Sequence, residues 1–195
     1  MAINPQQSMT PEEYLAFERA HTDAKHEYLN GEITAMSGAS LQHNIIVSNL
    51  VISLGIQMRG RPCNVFSSDM RVKIPATGLY TYPDIAALCG SPQLEDEAGD
   101  TLLNPSVIVE VLSPSTEAYD RGAKFAHYQS VESLQVYILV SQDKPRIEVF
   151  QRQEDRNWLY SVAETLDTSV RVEVVDCELA LADVYEGALR TEDQS

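Results

Sequence analysis

Two segments set the architecture of this chain: Tyr82-Pro83-Asp84-Ile85-Ala86-Ala87-Leu88 and, after a polar loop, Pro105-Ser106-Val107-Ile108-Val109-Glu110-Val111-Leu112. Each segment predicts a short strand of β-branched and apolar residues that is entered through a proline. Strands that are apolar on both faces are usually central in a sheet and covered by helices. Each strand nevertheless carries one carboxylate, Asp84 or Glu110.

An ionised carboxylate among apolar neighbours costs several kcal/mol unless it is paired or binds a cation. Asp84 and Glu110 belong to consecutive strands and can therefore lie side by side, where a divalent metal ion relieves their repulsion. The pattern thus predicts a metal site. The alternative is that both acids lie at strand ends, in water or paired with arginines.

The length of 195 residues and the apolar content of 44% are typical of one globular domain with a sizeable core. We expect a loose N-terminus over residues 1–9, a single domain over residues 10–187 and a polar tail over residues 188–195. No stretch is long and apolar enough to cross a bilayer, and the N-terminus shows no export signal, so the expected location is the cytoplasm without membrane contact.

Three cysteines, Cys63, Cys89 and Cys177, are far apart in the sequence and match no metal-binding spacing. Their number is odd, and a cytoplasmic protein usually keeps its thiols reduced. We therefore expect three reduced cysteines that behave as small, mostly buried hydrophobic residues.

The formal net charge of −15 argues against a broad basic surface that would hold nucleic acid by itself. A small positive groove on an acidic body is still compatible with two local basic groups. Alternatively these side chains are ordinary solvated residues. The candidate nucleic-acid contacts taken from the two groups are Arg71, Lys73 and Arg121.

The first half of the chain contains three clear local signals. Thr10-Pro11-Glu12-Glu13 predicts a capped helix start, and Asn30-Gly31 predicts the turn of a β-hairpin, with Glu32 in solvent. Residues Leu41 to Met58 show apolar side chains at helical spacing over a wide arc, which predicts a helix buried against a sheet. His43 lies in its first turn, where the helix dipole disfavours the imidazolium form. It is either a half-buried structural side chain or part of a site.

The second half predicts a helix from about Glu117 to Ser130 that places Asp120, Lys124 and Tyr128 on one face. An exposed Asp120–Lys124 ion pair of little energetic value is the plainer interpretation. Together the elements predict an α/β or α+β domain with a mixed sheet and extra hairpins. The remaining predicted strands are Cys63–Phe66, Met70–Pro75, Leu134–Val140, Arg146–Phe150 and two short edge strands at Trp158–Tyr160 and Val170–Val172, followed by a closing segment at Leu179–Tyr185.

Pro83-Asp84 followed by a carboxylate on the next strand resembles the PD-(D/E)XK nuclease superfamily. The likeness extends to Met-Thr-Pro-Glu-Glu-Tyr, Glu-Tyr-Leu-Asn-Gly-Glu-Ile, Val-Glu-Val-Leu-Ser-Pro-Ser-Thr and Asp-Arg-Gly-Ala-Lys-Phe-Ala-His-Tyr. Together these strings resemble a large bacterial family of restriction-endonuclease-like proteins that was long known only as a domain of unknown function. The match covers about residues 10–185.

This resemblance implies a restriction-endonuclease-like core, a mixed central sheet with helices on both faces. It implies Asp84 and Glu110 as ligands of Mg²⁺ or Mn²⁺, with Glu27 as a third acid that supports the metal or its water. Magnesium commonly takes only one or two protein carboxylates and completes its shell with water and phosphate oxygens. Bound there, it lowers the pKa of a water and stabilises the charged transition state.

The sequence departs from the superfamily pattern at Leu112, where a lysine is expected two residues after the strand carboxylate. Lys124 is the candidate replacement, reaching in from the following helix. If Lys124 pairs with Asp120 instead, the site lacks its activating cation and activity is low or absent. His43 and Tyr128 are candidates for positioning water or phosphate.

The leading hypothesis is a metal-dependent endonuclease that cleaves DNA by in-line attack of water, with a homodimer as an arrangement common in this fold. The alternative is a catalytically degenerate nuclease fold that binds nucleic acid or a protein partner, which Leu112 and the net acidity favour. A third and weaker hypothesis is a hydrolase that acts on another phosphate compound. The absence of a glycine-rich phosphate loop argues against binding of nucleoside triphosphates.

Overall fold

The structure, a computed structural model, describes residues 8–189. The predictions for residues 1–7 and 190–195 therefore lie outside the described residues. The described part forms thirteen strands: β1 (His26–Leu29), β2 (Glu32–Ala35), β3 (Cys63–Ser67), β4 (Arg71–Ile74), β5 (Leu79–Thr81), β6 (Ile85–Cys89), β7 (Thr101–Leu102), β8 (Val107–Leu112), β9 (Val136–Ser141), β10 (Ile147–Arg152), β11 (Trp158–Ala163), β12 (Ser169–Val172) and β13 (Cys177–Ala180).

The helices begin and end close to the positions that the sequence predicts. Helix α1 (Pro11–Ala20) starts at a Thr10 cap, whose hydroxyl accepts from the backbone of Glu13 while the Glu13 carboxylate accepts from the backbone of Thr10. Helix α2 (Leu41–Met58) has the predicted bounds. The later helices are short: α3 (Glu117–Tyr119), a π-helical segment (Asp120–Lys124), α4 (Phe125–Tyr128), a 3₁₀ turn (Glu173–Val175) and α5 (Leu181–Val184).

The strands form a six-stranded sheet in the order β11-β10-β9-β8-β6-β3, a five-stranded sheet in the order β2-β1-β5-β4-β7, and the hairpin β12-β13. The pairs β8–β9 and β4–β7 are parallel and the others antiparallel, so both large sheets are mixed as predicted. The carboxylate-bearing segments lie at β6 and β8, which are inner strands of the six-stranded sheet.

One face of the six-stranded sheet packs against α2 through Ile46, Leu50, Leu54 and Met58. The opposite face is covered by side chains of β4, β5 and the short helical segment, including Val72, Ile74, Leu79, Phe125 and Tyr128. The expectation of helices on both faces is therefore only partly correct, because the second sheet takes much of the place of a helical layer. No helix among residues 8–189 is long and apolar enough to cross a membrane.

The predicted hairpin is confirmed: β1 and β2 pair antiparallel, and Asn30 and Gly31 form the turn with φ angles of 52° and 93°. These left-handed values are the ones that Asn-Gly adopts readily in a two-residue hairpin turn. Glu32 is exposed, as expected. The hairpin carries Glu27 on β1 toward the interior.

The prediction of three reduced cysteines is wrong for two of them. Cys63 on β3 and Cys89 on β6 lie opposite each other in the antiparallel register and form a disulfide. Their separation of 26 residues gives no indication of this pairing, which arises only when the two strands align. Cys177 is free and buried, as predicted.

A buried carboxylate on β10 fastens the helical segment to the sheet. Glu148 accepts two hydrogen bonds from Arg121, at 3.0 and 2.7 Å, one from Arg146 Nε at 2.9 Å, and one from the Tyr160 hydroxyl at 3.0 Å. Burial raises the pKa of Glu148, but these hydrogen bonds outweigh it and hold the pKa at about 2. Arg121 lies three residues before Lys124, so this cluster fixes the segment that carries the predicted catalytic lysine.

Replacing Glu148 by glutamine should reduce the free energy of unfolding at pH 7 by about 1–2 kcal/mol, because hydrogen bonds to a charged acceptor are lost. The partial exposure of the two arginines keeps this loss small. A carboxylate with a lowered folded-state pKa stabilises above its unfolded pKa and loses this effect as the pH falls through the folded value. The difference between wild type and Glu148→Gln should therefore shrink between pH 4.5 and about 2 in urea titrations. The control Glu117→Gln removes an exposed partner of Arg121 and should cost less than about 0.5 kcal/mol. Equal losses in both variants would contradict this role of Glu148.

Candidate active site

Asp84 and Glu110 lie side by side, as predicted. Asp84 immediately precedes β6, and the antiparallel register that pairs Ile85 with Val109 places it beside Glu110 on β8. The Asp84 backbone N–H points to Glu110 Oε2 at 3.4 Å, and Asp84 Oδ2 accepts from the Val111 backbone at 2.7 Å. Asp84 thus lies at a strand entrance, but its neighbours are not arginines, and Glu110 is buried within its strand.

Lys124 converges on the same place. Its ammonium lies 2.9 Å from Glu110 Oε1, 3.5 Å from Glu27 Oε1 and 3.6 Å from Asp120 Oδ1. The side chain is only 5% exposed. The nearest partner is Glu110 rather than Asp120, so the exposed Asp120–Lys124 surface pair considered from the sequence does not describe this structure.

The helix that carries Lys124 differs from the regular helix that we predicted over Glu117–Ser130. It changes to a π-helical turn at Asp120–Lys124, returns to an α-helix, and ends at Tyr128. π-Helical turns are rare in proteins, and those that do occur are frequently found at functional sites. Here the π turn begins and ends at the two buried charged residues, Asp120 and Lys124.

Burial and like charges shape the titration of this cluster. Burial, Asp120 and Asp84 raise the pKa of Glu110 to about 8, although Lys124 lowers it. Burial also raises the pKa of Asp120. Burial lowers the pKa of Lys124, but Glu110, Glu27 and Asp120 together raise it well above its usual value. Lys124 therefore holds its proton more firmly than an exposed lysine, and the ionised form of Glu110 depends on a cation beside it.

His43 and Tyr128 each contact one of the two acids. His43 Nε2 lies 3.2 Å from Asp84 Oδ2, and the Tyr128 hydroxyl donates to Glu110 Oε1 at 3.3 Å. Burial lowers the pKa of His43, but the hydrogen bond to Asp84 and the negative charge of Asp84 raise it by more, so the net pKa lies above its ordinary value. The pKa of His43 is therefore shifted in the direction opposite to the one expected from the helix dipole alone, because of Asp84.

Glu27 reaches the site from β1, as the resemblance implied. It accepts a hydrogen bond from the Thr81 hydroxyl and faces Lys124. The Lys124 ammonium lies 6.0 Å from the centre of the Tyr119 ring, so this phenol belongs to the same cluster, and burial and the charge of Glu27 raise its pKa to about 12. Sequence reasoning named Asp120 only as an ion-pair partner and did not name Thr81 or Tyr119; the four-residue step to Lys124 was the available signal for Asp120.

The three candidate nucleic-acid contacts are all engaged within the protein. Arg71 is buried, bonded to Tyr82 and Thr101, and paired with Asp100 at 2.9 Å. Its prediction as a surface contact is wrong, because strand β4 turns it toward the interior. Lys73 and Arg121 are partly exposed, yet each is paired with a glutamate, Glu95 and Glu148 respectively.

The donor set fits a hard divalent cation. Among the described residues no group of three or more His, Cys, Asp and Glu side chains forms a ready metal shell, so the candidate ligands are the two adjacent carboxylates. Asp84 Oδ2 and Glu110 Oε1 each have two close partners, and Glu110 Oε2 accepts only the long 3.4 Å hydrogen bond from the Asp84 backbone, which leaves Asp84 Oδ1 and Glu110 Oε2 as the most available oxygens. Two carboxylates suffice for Mg²⁺, which keeps several waters and takes substrate phosphate oxygens.

Comparison with known proteins gives a consistent family assignment. Residues 11–183 match the family model Uma2, described as "Putative restriction endonuclease". The uncharacterized protein slr1290 of Synechocystis sp. (strain ATCC 27184 / PCC 6803 / Kazusa) is 37% identical over 166 residues, covering 84% of this chain and 86% of the relative. The uncharacterized protein sll1609 of the same strain is 36% identical over 159 residues, covering 82% and 89%.

One solved structure shows the same fold. The crystal structure of "a putative nuclease belonging to DUF820" from Anabaena variabilis ATCC 29413 matches with a TM-score of 0.74 and 22% identity. The match covers 91% of this chain and 98% of that chain. It confirms the predicted mixed α+β fold class.

Replacing Lys124 by methionine should reduce the free energy of unfolding by about 3–5 kcal/mol in the presence of EDTA, because three acids lose their buried counter-charge. In this variant Glu110 and Asp120, whose pKa values burial already raises, bind protons more tightly in the folded than in the unfolded state. A raised folded-state pKa gives stability that is present at low pH and lost as the pH rises. The deficit relative to wild type should therefore be larger at pH 8.5 than at pH 6 in urea titrations.

The matched control for this prediction is Lys25→Met. Lys25 is partly exposed, and its partner Asp69 is 85% exposed, so the loss should stay below about 1 kcal/mol at both pH values. A Lys124→Met protein as stable as Lys25→Met, or one that becomes more stable as the pH rises, would contradict the described electrostatics.

Proposed function

This chain belongs to the Uma2 family, and we propose that it is a divalent-metal-dependent endonuclease that hydrolyses phosphodiester bonds of DNA. The observation that carries this proposal is the convergence of Asp84, Glu110 and Lys124 in one polar cluster within an otherwise apolar core. Two carboxylates and an ammonium group provide ligands for a hard cation and a point charge beside it. This is the donor set that hydrolysis of a phosphate diester requires.

In this proposal Asp84 Oδ1 and Glu110 Oε2 hold Mg²⁺ or Mn²⁺. The bound metal supplies Lewis acidity, which lowers the pKa of a coordinated water and neutralises phosphate charge. Lys124 lies 2.9 Å from Glu110 and provides a positive charge next to that position for the attacking water or the scissile phosphate. Lys124 thereby supplies the positive charge that a lysine at the position of Leu112 would provide.

The surrounding side chains fix the orientation of the two acids. The Val111 backbone and His43 hold Asp84 through Oδ2, and Tyr128 holds Glu110 through Oε1. Glu27 on strand β1 lies 3.5 Å from the Lys124 ammonium, so that Lys124 lies between three acids. Such fixed neighbours reduce the reorganisation that is needed when charge develops on the phosphate.

The charge of the protein bears on how it binds DNA. The net charge is −15, Arg71 is buried, and Lys73 and Arg121 are paired with glutamates. Of the basic side chains named above, only Lys124 lies at the acids, so the metal and Lys124 supply the positive charge at the proposed site. We expect weak DNA binding without a divalent ion.

The second candidate function is a degenerate nuclease fold that binds nucleic acid or a protein without cleaving. Leu112 at the usual lysine position and the net acidity favour it. The two candidates differ in the metal, which only the nuclease requires at Asp84 and Glu110.

Cleavage of supercoiled plasmid in Mn²⁺ or Mg²⁺ tests the proposed activity. Asp84→Asn, Glu110→Gln and Lys124→Met should each lower the nicking rate by about 100-fold or more, because each removes a ligand or a charge that acts at the transition state. The matched controls Asp69→Asn and Glu97→Gln replace exposed acids and should cleave like wild type. Equal cleavage by all six proteins would refute the assignment.

Calorimetric titration with Mn²⁺ separates binding from cleavage. Asp84→Asn and Glu110→Gln should weaken Mn²⁺ binding at least about tenfold, since each loses one of two charged ligands. Lys124→Met should bind Mn²⁺ at least as tightly as wild type, because a neighbouring positive charge is gone. Wild-type protein that binds no Mn²⁺ would favour the non-catalytic alternative.

A further inference from the structure

Among residues 8–189, strand β11 (Trp158–Ala163) pairs only with β10, so its other side is an outer edge of the six-stranded sheet, and the strand itself lacks the usual protection. Its sequence, Trp-Leu-Tyr-Ser-Val-Ala, contains no charged residue and no proline. Leu159, Tyr160 and Val162 are 57%, 44% and 42% exposed. Soluble proteins normally blunt such an edge with lysines, prolines or bulges, because its unpaired backbone groups can recruit another strand.

The register with β10 shows which backbone groups of β11 point outward. Gln153 N–H donates to Asn157 C=O at 2.8 Å and Gln153 C=O accepts from Arg156 N–H at 3.0 Å, so the backbone groups of Gln153 point toward the β11 side, while Arg152 N–H donates to Gln135 on the other side. Bonded and non-bonded pairs alternate along an antiparallel ladder. Leu159, Ser161 and Ala163 therefore bond to β10, and the N–H and C=O groups of Trp158, Tyr160 and Val162 face the open edge.

We propose that two copies of this chain associate through their β11 strands, paired antiparallel about a two-fold axis at Tyr160. In this register Tyr160 lies opposite Tyr160 of the second copy, and Trp158 lies opposite Val162. All of these residues have outward backbone groups, so the hydrogen bonds of the two edges match without a bulge. The result is one continuous sheet across both copies, with an isologous interface.

The side chains in this register are complementary as well. Aromatic–aromatic pairs and pairs of an aromatic with a β-branched residue are among the most favourable cross-strand neighbours. Beyond the strand ends, the same register brings the exposed Arg156 of each copy toward Glu164 of the other, which pairs with Arg146 of its own chain and is still 56% exposed. An unrelated strand would have to reproduce this order of aromatic, β-branched and oppositely charged residues, whereas a second copy supplies it by symmetry.

Sedimentation of the full chain tests the interface. Wild type should sediment with twice the mass of one chain at micromolar concentration. Val162→Pro removes an outward N–H that bonds to nothing in β10, so this variant should fold, with an unchanged circular dichroism spectrum, and sediment as a monomer. Val162→Thr keeps the N–H and a β-branched side chain and should remain a dimer. A monomeric wild type, or a folded Val162→Pro variant that stays dimeric, would overturn the proposal.

Oxidative cross-linking tests the register. Directly opposed residues of a hydrogen-bonded pair have Cα atoms about 5.5 Å apart, which suits a disulfide. Tyr160→Cys should therefore form a covalent dimer under mild oxidation. Ser161→Cys lies opposite Leu159 rather than itself and should cross-link at least about tenfold more slowly. Equal rates for the two variants would overturn the two-fold at Tyr160. Neither result depends on nuclease activity, so this proposal and the proposed function fail independently.

Discussion

The buried ion pair between Lys124 and Glu110, 2.9 Å apart, is the interaction on which the rest of the site depends. Without Lys124, the three acids Glu110, Glu27 and Asp120 would face each other in a region shielded from water, at a cost that few side-chain contacts could offset. With it, strand β8, the hairpin that carries Glu27 and the π turn are held at one point. The same charge is also what the chemistry needs next to a metal and a phosphate.

The fold positions this pair through elements far apart in the sequence. The β6–β8 register places Asp84 beside Glu110, and α2 brings His43 to Asp84 from the opposite layer. Glu148 on β10 fastens Arg121, and with it the turn that presents Lys124. The second sheet closes the remaining side and delivers Glu27.

Local signals in the sequence predicted local structure well. The Asn30-Gly31 turn, the capped start of α1 and the bounds of α2 follow from short-range chemistry that tertiary packing did not override. The approach of Lys124 to Glu110 was predictable because the missing lysine at Leu112 left a charge to be supplied. The Cys63–Cys89 bond, the burial of Arg71, the π turn and the raised pKa of His43 were not predictable, because each depends on a register or a neighbour set by the whole fold.

Anomalous difference density from a crystal soaked in Mn²⁺, recorded near the manganese absorption edge, would show whether a cation binds between the two carboxylates. We predict a single strong peak bonded to oxygens of both Asp84 and Glu110, with the Lys124 ammonium beside it and still close to Glu110. Density absent from this position in a crystal that binds Mn²⁺ elsewhere, or a peak that contacts neither carboxylate, would rule out the proposed metal site.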